Sequence, residues 1–171
     1  KFELFAANSN FSAEVASAKR DAIKCFESCG LPTTKVEEWK YSNLDFLNRF
    51  DFDLISKSSV DKSQIKQFLF DNLAANVLVF IDGIFAKEFS NVIDSNIAFS
   101  PLSEIFAADS SLPKEYATSQ NRCHDAFTAL NSAYAEDGTA IIVKKNSACE
   151  HPIHIVQIFS GNSQTITFPR N

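Results

Sequence analysis

The sequence predicts an α+β fold in which helices come first and a run of short strands comes last. Three observations support this prediction. An amphipathic helix runs from Ser12 to Gly30, the hydrophobic period changes from helical to extended at Val77, and the residues after Thr139 form strands separated by polar turns. We therefore expect an N-terminal helical/α+β domain over residues 1–136 and a strand-rich segment over residues 137–171.

The first predicted element is a helix of about five turns, preceded by a loosely held lead-in at residues 1–11. Ser12 can cap this helix, and Glu14 suits its positively polarised first turn. Apolar side chains recur at steps of three and four residues from Phe11 to Cys29, so one face is expected to be buried. Gly30 tolerates a positive φ and can end the helix.

The next stretch, Gly30–Leu44 (GLPTTKVEEWKYSNL), contains the only tryptophan of the chain. Pro32 interrupts the backbone. Thr34 followed three residues later by Glu37 predicts a capping box that opens a short helix. We expect Trp39 to anchor this helix in the core, because large aromatic residues dominate cores. Contact with a partner protein is the functional alternative.

The middle of the chain predicts an extended segment, a helix and a hairpin. Residues 46–54 alternate in part between apolar and acidic side chains, which indicates an extended segment. Asp61 with Gln64 predicts a second capping box, and the helix after it is expected to bury its apolar face; the expected face is Ile65, Phe68, Leu69 and Leu73. Val77–Ile81 predicts a strand covered on both faces, and Asp82–Gly83 a turn into a partner strand at residues 84–89.

The remaining elements are a short strand, two helices and three further strands. Residues 97–99 predict the strand, and Ser100–Pro101 a helix start with three buried side chains, Leu102, Ile105 and Phe106. A loop is expected at 109–121, and a helix from Arg122 to Tyr134 with Phe127, Leu130 and Tyr134 on its buried face. Strands follow at 140–143, 153–159 and 165–168. This spacing suits a sandwich, a meander or the first coils of a parallel β-helix, and it does not choose among them.

Charge and hydropathy exclude two classes of partner. The net charge is −5 and the 16 Lys and Arg residues are scattered, so there is no basic stripe for nucleic acid. No run of about 18 apolar residues exists, so we expect no membrane span. No leader with a charged start and an apolar centre opens the chain, and cysteines at 25, 29, 123 and 149 follow no disulfide-scaffold spacing. We therefore expect reduced thiols and a cytoplasmic location.

Two groups of cysteine and histidine residues are candidate metal ligands. Cys25 and Cys29 lie four residues apart on one predicted helix face, but that face is apolar and buried cysteines behave as small hydrophobic residues. Cys149, His151 and His154 are suitable ligands for zinc or an iron–sulfur species, but their spacing matches no closed four-ligand pattern. We interpret both groups as structural.

The sequence does not predict catalysis. Cys123 and His124 are adjacent, so their side chains diverge on a helix. Glu37 and Glu38 also point in different directions and do not form an acid/base pair. The chain contains no nucleophile-elbow, Walker or dinucleotide-binding motif.

The stretch Gly30–Leu44 resembles the N-terminal signature of the SufB/SufD family of the SUF iron–sulfur cluster assembly system. The resemblance favours SufD over its sister SufB, because SufB lacks this motif. It covers nearly the whole chain from Ser12. Later segments resemble the family in the same order, namely Phe80–Phe85, Ala129–Asn131 with Asp137–Gly138, Glu150 with Pro152 and Ile153, and Pro169–Asn171.

The resemblance implies a helical N-terminal domain with a small hairpin or sheet, followed by the first coils of a right-handed parallel β-helix. It implies a non-enzymatic subunit of a cluster assembly scaffold, acting with a SufB-like subunit and the ATPase SufC through parts mostly outside this chain. The family's functional cysteine and histidine lie late in its core. The resemblance therefore implies no catalytic, cofactor-binding or metal-binding residue here, with the cluster and ATP handled by other regions or subunits.

Two other functions stay open from the residues alone. One is a non-catalytic ligand-binding module on a β-helix or β-sandwich, for example for carbohydrate. The other is a small metalloprotein that uses Cys149, His151 and His154. The chain starts at Lys1, contains no methionine and stops after a strand-like run, so we expect a piece of a longer protein. We also expect self-association through an open strand edge.

Overall fold

The computed structural model describes residues 1–49, 51, 53–54, 60–70, 72–107, 125–161 and 165–168. It confirms an α+β fold with small sheets. The chain forms two compact units, each built from two separate segments. The helical unit contains Lys1–Asp53 and Ile105–Ala135, and the strand-rich unit contains Leu54–Glu104 and Glu136–Asn171.

The core of the helical unit is formed by three helices: α1 (Phe2–Asn8), α2 (Ala13–Cys29) and α5 (Ala126–Tyr134). Helix α1 lies where the sequence predicts a loose lead-in, so that prediction is wrong. The reason is aromatic packing, because the rings of Phe2 and Phe5 lie 5.6 and 5.3 Å from that of Tyr134. This burial outweighs the weak helix propensity of the neighbouring asparagines and serines.

Both predicted ends of α2 are confirmed. Ser12 Oγ accepts a hydrogen bond from the Val15 N–H at 3.4 Å. Gly30 has φ 65° and ψ −179°, and its N–H donates to the Phe26 carbonyl at 2.7 Å. Between these ends, the face of α2 that includes Lys19 is buried.

A buried lysine links α2 to the end of α5. Lys19 is only 1% exposed, and its Nζ donates to the carbonyls of Ser132, at 3.2 Å, and Ala135. The same Nζ lies 4.8 Å from the ring centroid of Phe11 and 5.0 Å from that of Phe106. The cation therefore lies at the negatively polarised C-terminal end of α5, where helix carbonyls lack intrahelical partners.

The residues after α2 form two short 3₁₀ helices, Glu37–Trp39 and Asp45–Arg49. The predicted capping box at Thr34 is wrong, because the first 3₁₀ helix has no side-chain cap. Instead, Thr33 Oγ1 accepts from the Lys35 N–H at 3.3 Å, as in a local Ser/Thr turn. The predicted extended segment is also wrong at residues 46–49, which belong to the second 3₁₀ helix. Among the described residues of the predicted segment, strand appears only at β1 (Asp53–Leu54).

The strand-rich unit contains a three-stranded sheet whose neighbouring strands are, in order, β3 (Ile84–Phe85), β2 (Asn76–Ile81) and β6 (Ile153–Ile158). Strand β2 (Asn76–Ile81) pairs antiparallel with β3 (Ile84–Phe85) through a turn in which Asp82 and Gly83 have φ 53° and 85°. This confirms the predicted hairpin, although β3 is short and a 3₁₀ helix follows at Lys87–Phe89. On its other side β2 pairs parallel with β6 (Ile153–Ile158).

A second sheet consists of β4 (Ile97–Pro101) and β5 (Thr139–Val143), which pair antiparallel. Strand β7 is short, at Thr165–Ile166. A buried carboxylate joins the segments around this sheet. Asp137, 1% exposed, accepts hydrogen bonds from the N–H groups of Phe85, Ser103 and Gly138 at 2.8–2.9 Å.

Helix α3 (Lys62–Lys66) confirms the second capping box, since Asp61 and Gln64 satisfy each other's backbone N–H groups. Ile65 is buried as predicted and packs in a core with Val79, Ala86 and Val156. Phe68 and Leu73 are about half exposed, contrary to prediction, because the helix ends before it can turn them inward.

Helix α4 (Leu102–Ala107) buries Leu102 and Phe106 as predicted. It begins directly after the predicted Ser100–Pro101 start, although these two residues belong to β4 and the Ser103 N–H donates to Asp137. The predicted loop at 109–121 and the first residues of the predicted helix from Arg122 lie outside the described residues.

Helix α5 begins after Asp125, whose carboxylate accepts from the Thr128 N–H at 2.8 Å. Its buried residues are Ala126, Ala129, Ser132 and Ala133. The predicted face of Phe127, Leu130 and Tyr134 is only half-buried. None of the helices in the described part of the chain is long and apolar enough to cross a membrane.

Candidate functional site at the start of strand β6

A polar cluster forms where strands β2 and β6 begin side by side. In the parallel register Asn76 pairs with Ile153, so the turn before β6 lies next to the start of β2. Asn76 is almost fully buried, and its side-chain carbonyl accepts from the N–H groups of Ile93 and Asp94 at 2.9 and 3.0 Å. Its amide donates to Asp94 Oδ2 at 2.9 Å and to the His151 carbonyl at 3.2 Å. Asn76 therefore joins two loop segments to the sheet.

Asp94 is the centre of this cluster, with a side chain that is 6% exposed. Its Oδ2 accepts from Asn76, from the His151 N–H at 3.0 Å and from Cys149 Sγ at 3.3 Å. Its Oδ1 lies 2.7 Å from His151 Nδ1. The hydrogen bond from the His151 ring, followed by that from Asn76, holds the pKa of Asp94 far below its usual range. The carboxylate is therefore ionised at neutral pH.

The same cluster keeps the Cys149 thiol protonated. Its Sγ donates to the His151 carbonyl at 2.8 Å as well as to Asp94. Burial and the Asp94 carboxylate raise the pKa of this thiol. Because the thiolate is the form that attacks electrophiles and binds metals, Cys149 is poorly suited to both roles.

His154 has a different environment from Cys149 and His151. It lies within β6, and its ring stacks on Phe70 with a centroid distance of 4.9 Å and an interplanar angle of 28°. The structure thus brings Cys149 and His151 to one carboxylate, whereas His154 belongs to an aromatic stack.

The site also contains two carboxylates, Asp94 and Glu150, that the sequence interpretation did not consider as ligands. One ligand atom each from Asp94, Glu150 and His151 lie within 4.8 Å of one another. No sequence motif links Asp94 to the 149–151 turn, because the two meet only through the β2–β6 pairing. Glu150 sits between the two residues that the sequence had singled out, so its proximity to them could have been noticed.

The other candidate ligands do not form a site in the described part of the chain. Cys25 is disulfide-bonded, so the prediction of reduced thiols is wrong at this position. Cys29 is exposed near the end of α2. Cys123 and His124 lie outside the described residues. Glu37 and Glu38 are exposed, and Glu37 pairs with Lys40.

The tryptophan-bearing stretch is anchored at one point. The ring of Trp39 is half-buried and lies 5.2 Å from that of Phe127 on α5. Tyr41, two residues later, is 92% exposed and receives the Lys40 ammonium at 5.1 Å from its ring. Trp39 therefore fixes the stretch to the helical unit, while the residues around it face solvent.

Comparisons with known proteins identify similar chains. Residues 3–155 match the family described as the SufBD protein N-terminal region. A curated relative, an iron–sulfur cluster assembly SufBD family protein of Synechocystis sp., is 26% identical over 144 residues. The match covers 83% of this chain and 32% of the relative, so the chain spans about a third of that protein's length.

Proposed function

The chain belongs to the SufB/SufD family, and from this premise we propose that it is the N-terminal part of a subunit of an iron–sulfur cluster assembly scaffold. The observation that carries the proposal is the family match over residues 3–155. The printed name of the Synechocystis relative gives iron–sulfur cluster assembly as the process. The match also weighs against the alternative of a carbohydrate-binding or other ligand-binding module.

Within the family, we assign the chain to SufD, acting with a SufB-like subunit and the ATPase SufC in the cytoplasm. The support for SufD is the signature of residues 30–44. We further propose that residues 1–136 form the N-terminal domain and that residues 137–171 begin a right-handed parallel β-helix. The parallel pairing of β2 with β6 supports this extension, because β-helix coils pair in parallel.

The proposed role is that of a scaffold and not of an enzyme. Support comes from Cys149, whose protonated thiol is bonded to Asp94 and to a backbone carbonyl and so is not poised as a nucleophile. The iron–sulfur cluster and ATP would be handled by other regions or other subunits. In this proposal Trp39 is a packing anchor for the signature stretch, and partner contacts lie mostly outside this chain.

Co-purification tests the proposal directly. A full-length protein that contains this chain is co-expressed with SufB-like and SufC-like subunits from the same source, and only one subunit carries an affinity tag. We expect a stable complex on which an iron–sulfur cluster can be reconstituted. Matched pull-downs of the untagged mixture control for adsorption. The absence of any complex, while SufB and SufC associate with each other, would overturn the proposal.

Strand β6 supports the further prediction of self-association, since it lies at an edge of the described three-stranded sheet. A sheet edge presents backbone N–H and C=O groups that can recruit another strand. Light scattering of the 171-residue chain across a range of concentrations measures this, and a monomer at every concentration would contradict it.

A further inference from the structure

We propose that Asp94, Glu150 and His151 form a binding site for a divalent first-row transition-metal ion of the Zn²⁺ class. The inference goes beyond the scaffold function and does not depend on it. It also departs from the metal set that the sequence suggested, because it omits Cys149 and His154 and uses two carboxylates instead.

The distances between the three residues suit shared coordination of one ion. One candidate ligand atom from each side chain lies within 4.8 Å of the other two. Ligands about 2.0–2.2 Å from a common metal centre are necessarily within about 4.4 Å of each other. To bring all three onto one ion, the exposed Glu150 side chain must move closer and the ion must take the place of the proton between His151 Nδ1 and Asp94 Oδ1.

Asp94 has acceptor capacity on the side where the ion would lie. Its Oδ2 already accepts from three donors, namely the Asn76 amide, the Cys149 thiol and the His151 N–H. Its Oδ1 faces only the His151 ring. Each carboxylate oxygen has about two lone-pair positions, so Oδ1, which faces one donor, keeps one position open. The other bonds hold Asp94 in place and preorganise it as a ligand.

The charge of the cluster favours a cation. In the described part of the chain, neither Asp94 nor Glu150 forms a salt bridge with a lysine or arginine. Among the described residues, the side chain of potentially opposite charge that contacts Asp94 is that of His151. A bound divalent ion would neutralise both carboxylates.

The ligand types narrow the choice of ion. An imidazole nitrogen with two carboxylates suits Zn²⁺, Mn²⁺ or Fe²⁺. Calcium takes six to eight oxygen ligands, and magnesium rarely uses dedicated protein cages, so both fit less well. Three protein ligands leave a coordination position for water, which distinguishes this arrangement from a closed structural zinc site.

Isothermal titration of the 171-residue chain with Zn²⁺, after chelator treatment, tests the site. We expect one Zn²⁺ per chain, a Glu150→Gln variant weakened by about tenfold or more, and loss of binding in His151→Ala. Glu150 is exposed, so Glu150→Gln should fold normally, which circular dichroism and Tm check.

Two matched controls make the assignment specific. His154→Ala removes the neighbouring histidine, and Glu88→Gln removes an exposed carboxylate of the same unit; both should bind Zn²⁺ like the unmodified chain. An excess of Mg²⁺ should not displace the Zn²⁺. The proposal is overturned by absent stoichiometric binding, by wild-type affinity in folded Glu150→Gln, by equal weakening in His154→Ala, or by displacement with Mg²⁺.

Discussion

Replacing Lys19 with methionine should destabilise the helical unit strongly, although it removes only one ammonium group. Lys19→Met keeps the side-chain length and its packing on the rings of Phe11 and Phe106, so little cavity forms. It removes the hydrogen bonds to the carbonyls of Ser132 and Ala135 at the end of α5. These carbonyls would remain desolvated without that donor.

The magnitude follows from three contributions. Each hydrogen bond from a charged donor is worth about 1.5–3 kcal/mol, and a cation at a helix C-terminus adds up to about 2 kcal/mol. The desolvation of the buried ammonium, which Lys19→Met relieves, costs several kcal/mol and acts in the opposite direction. We therefore expect a net loss of about 2–4 kcal/mol in the free energy of unfolding, close to that seen when one partner of a buried polar pair is removed.

Urea unfolding monitored by the fluorescence of Trp39 measures this loss, because Trp39 and Lys19 belong to the same unit. The midpoint should fall while the m-value stays constant. Lys24→Met is the matched control, since Lys24 is an exposed residue of the same helix that pairs only loosely with Asp21, and it should change stability by less than about 0.5 kcal/mol. A Lys19→Met variant as stable as this control would refute the reasoning.

Three further predictions concern the strand-rich unit and the end of α2. Asp137→Ala should lower the free energy of unfolding by about 2–4 kcal/mol, because it leaves buried backbone N–H groups unpaired. Thermal unfolding should show a smaller loss of stability for Asp137→Asn. It should show almost no loss for Glu136→Ala, which changes an exposed neighbour. Because the folded-state pKa of Asp94 lies below its unfolded value of about 3.9, its contribution to stability is complete above that pH and declines as the pH falls further. The free energy of unfolding of Asp94→Asn should accordingly change less with pH below about pH 4 than that of the unmodified chain. An equal dependence on pH in the two proteins would contradict this prediction. Gly30→Ala should lower the free energy of unfolding by about 1–3 kcal/mol through backbone strain alone, since no heavy atom lies within 4 Å of the added Cβ. Urea unfolding measures this loss, and an unchanged stability would contradict the prediction.

Local sequence signals predicted the elements that depend on neighbouring residues. The Ser12 cap, the Gly30 terminus, the Asp61 capping box and the Asp82–Gly83 turn are all confirmed. In each of them a side chain or a backbone conformation acts within four residues along the chain. Such interactions survive in almost any tertiary context, which is why a single sequence reveals them.

Features that depend on distant residues were missed. Helix α1 forms because its phenylalanines meet Tyr134, and no local signal carries that information. Asp94 becomes the centre of the polar cluster only when β6 pairs with β2. Lys19 did leave a signal, because it lies four residues after Val15 and three before Ala22, on the stripe that becomes buried. A charged residue on such a stripe predicts a buried partner, and the sequence interpretation passed over it.

The parallel register of β2 and β6 has a consequence for the order in which the chain can fold. Val79 of β2 packs in the same core as Val156 of β6. This core therefore cannot be complete until the chain up to Ile158 has left the ribosome and β6 has paired with β2. The helical unit likewise cannot be complete until the residues up to 135 have been synthesised and have packed against α2. Non-local pairing of this kind slows folding and leaves apolar segments exposed meanwhile. A nascent chain arrested before β6 should therefore bind chaperones and be cleaved readily by proteases, whereas one arrested after β6 should resist both.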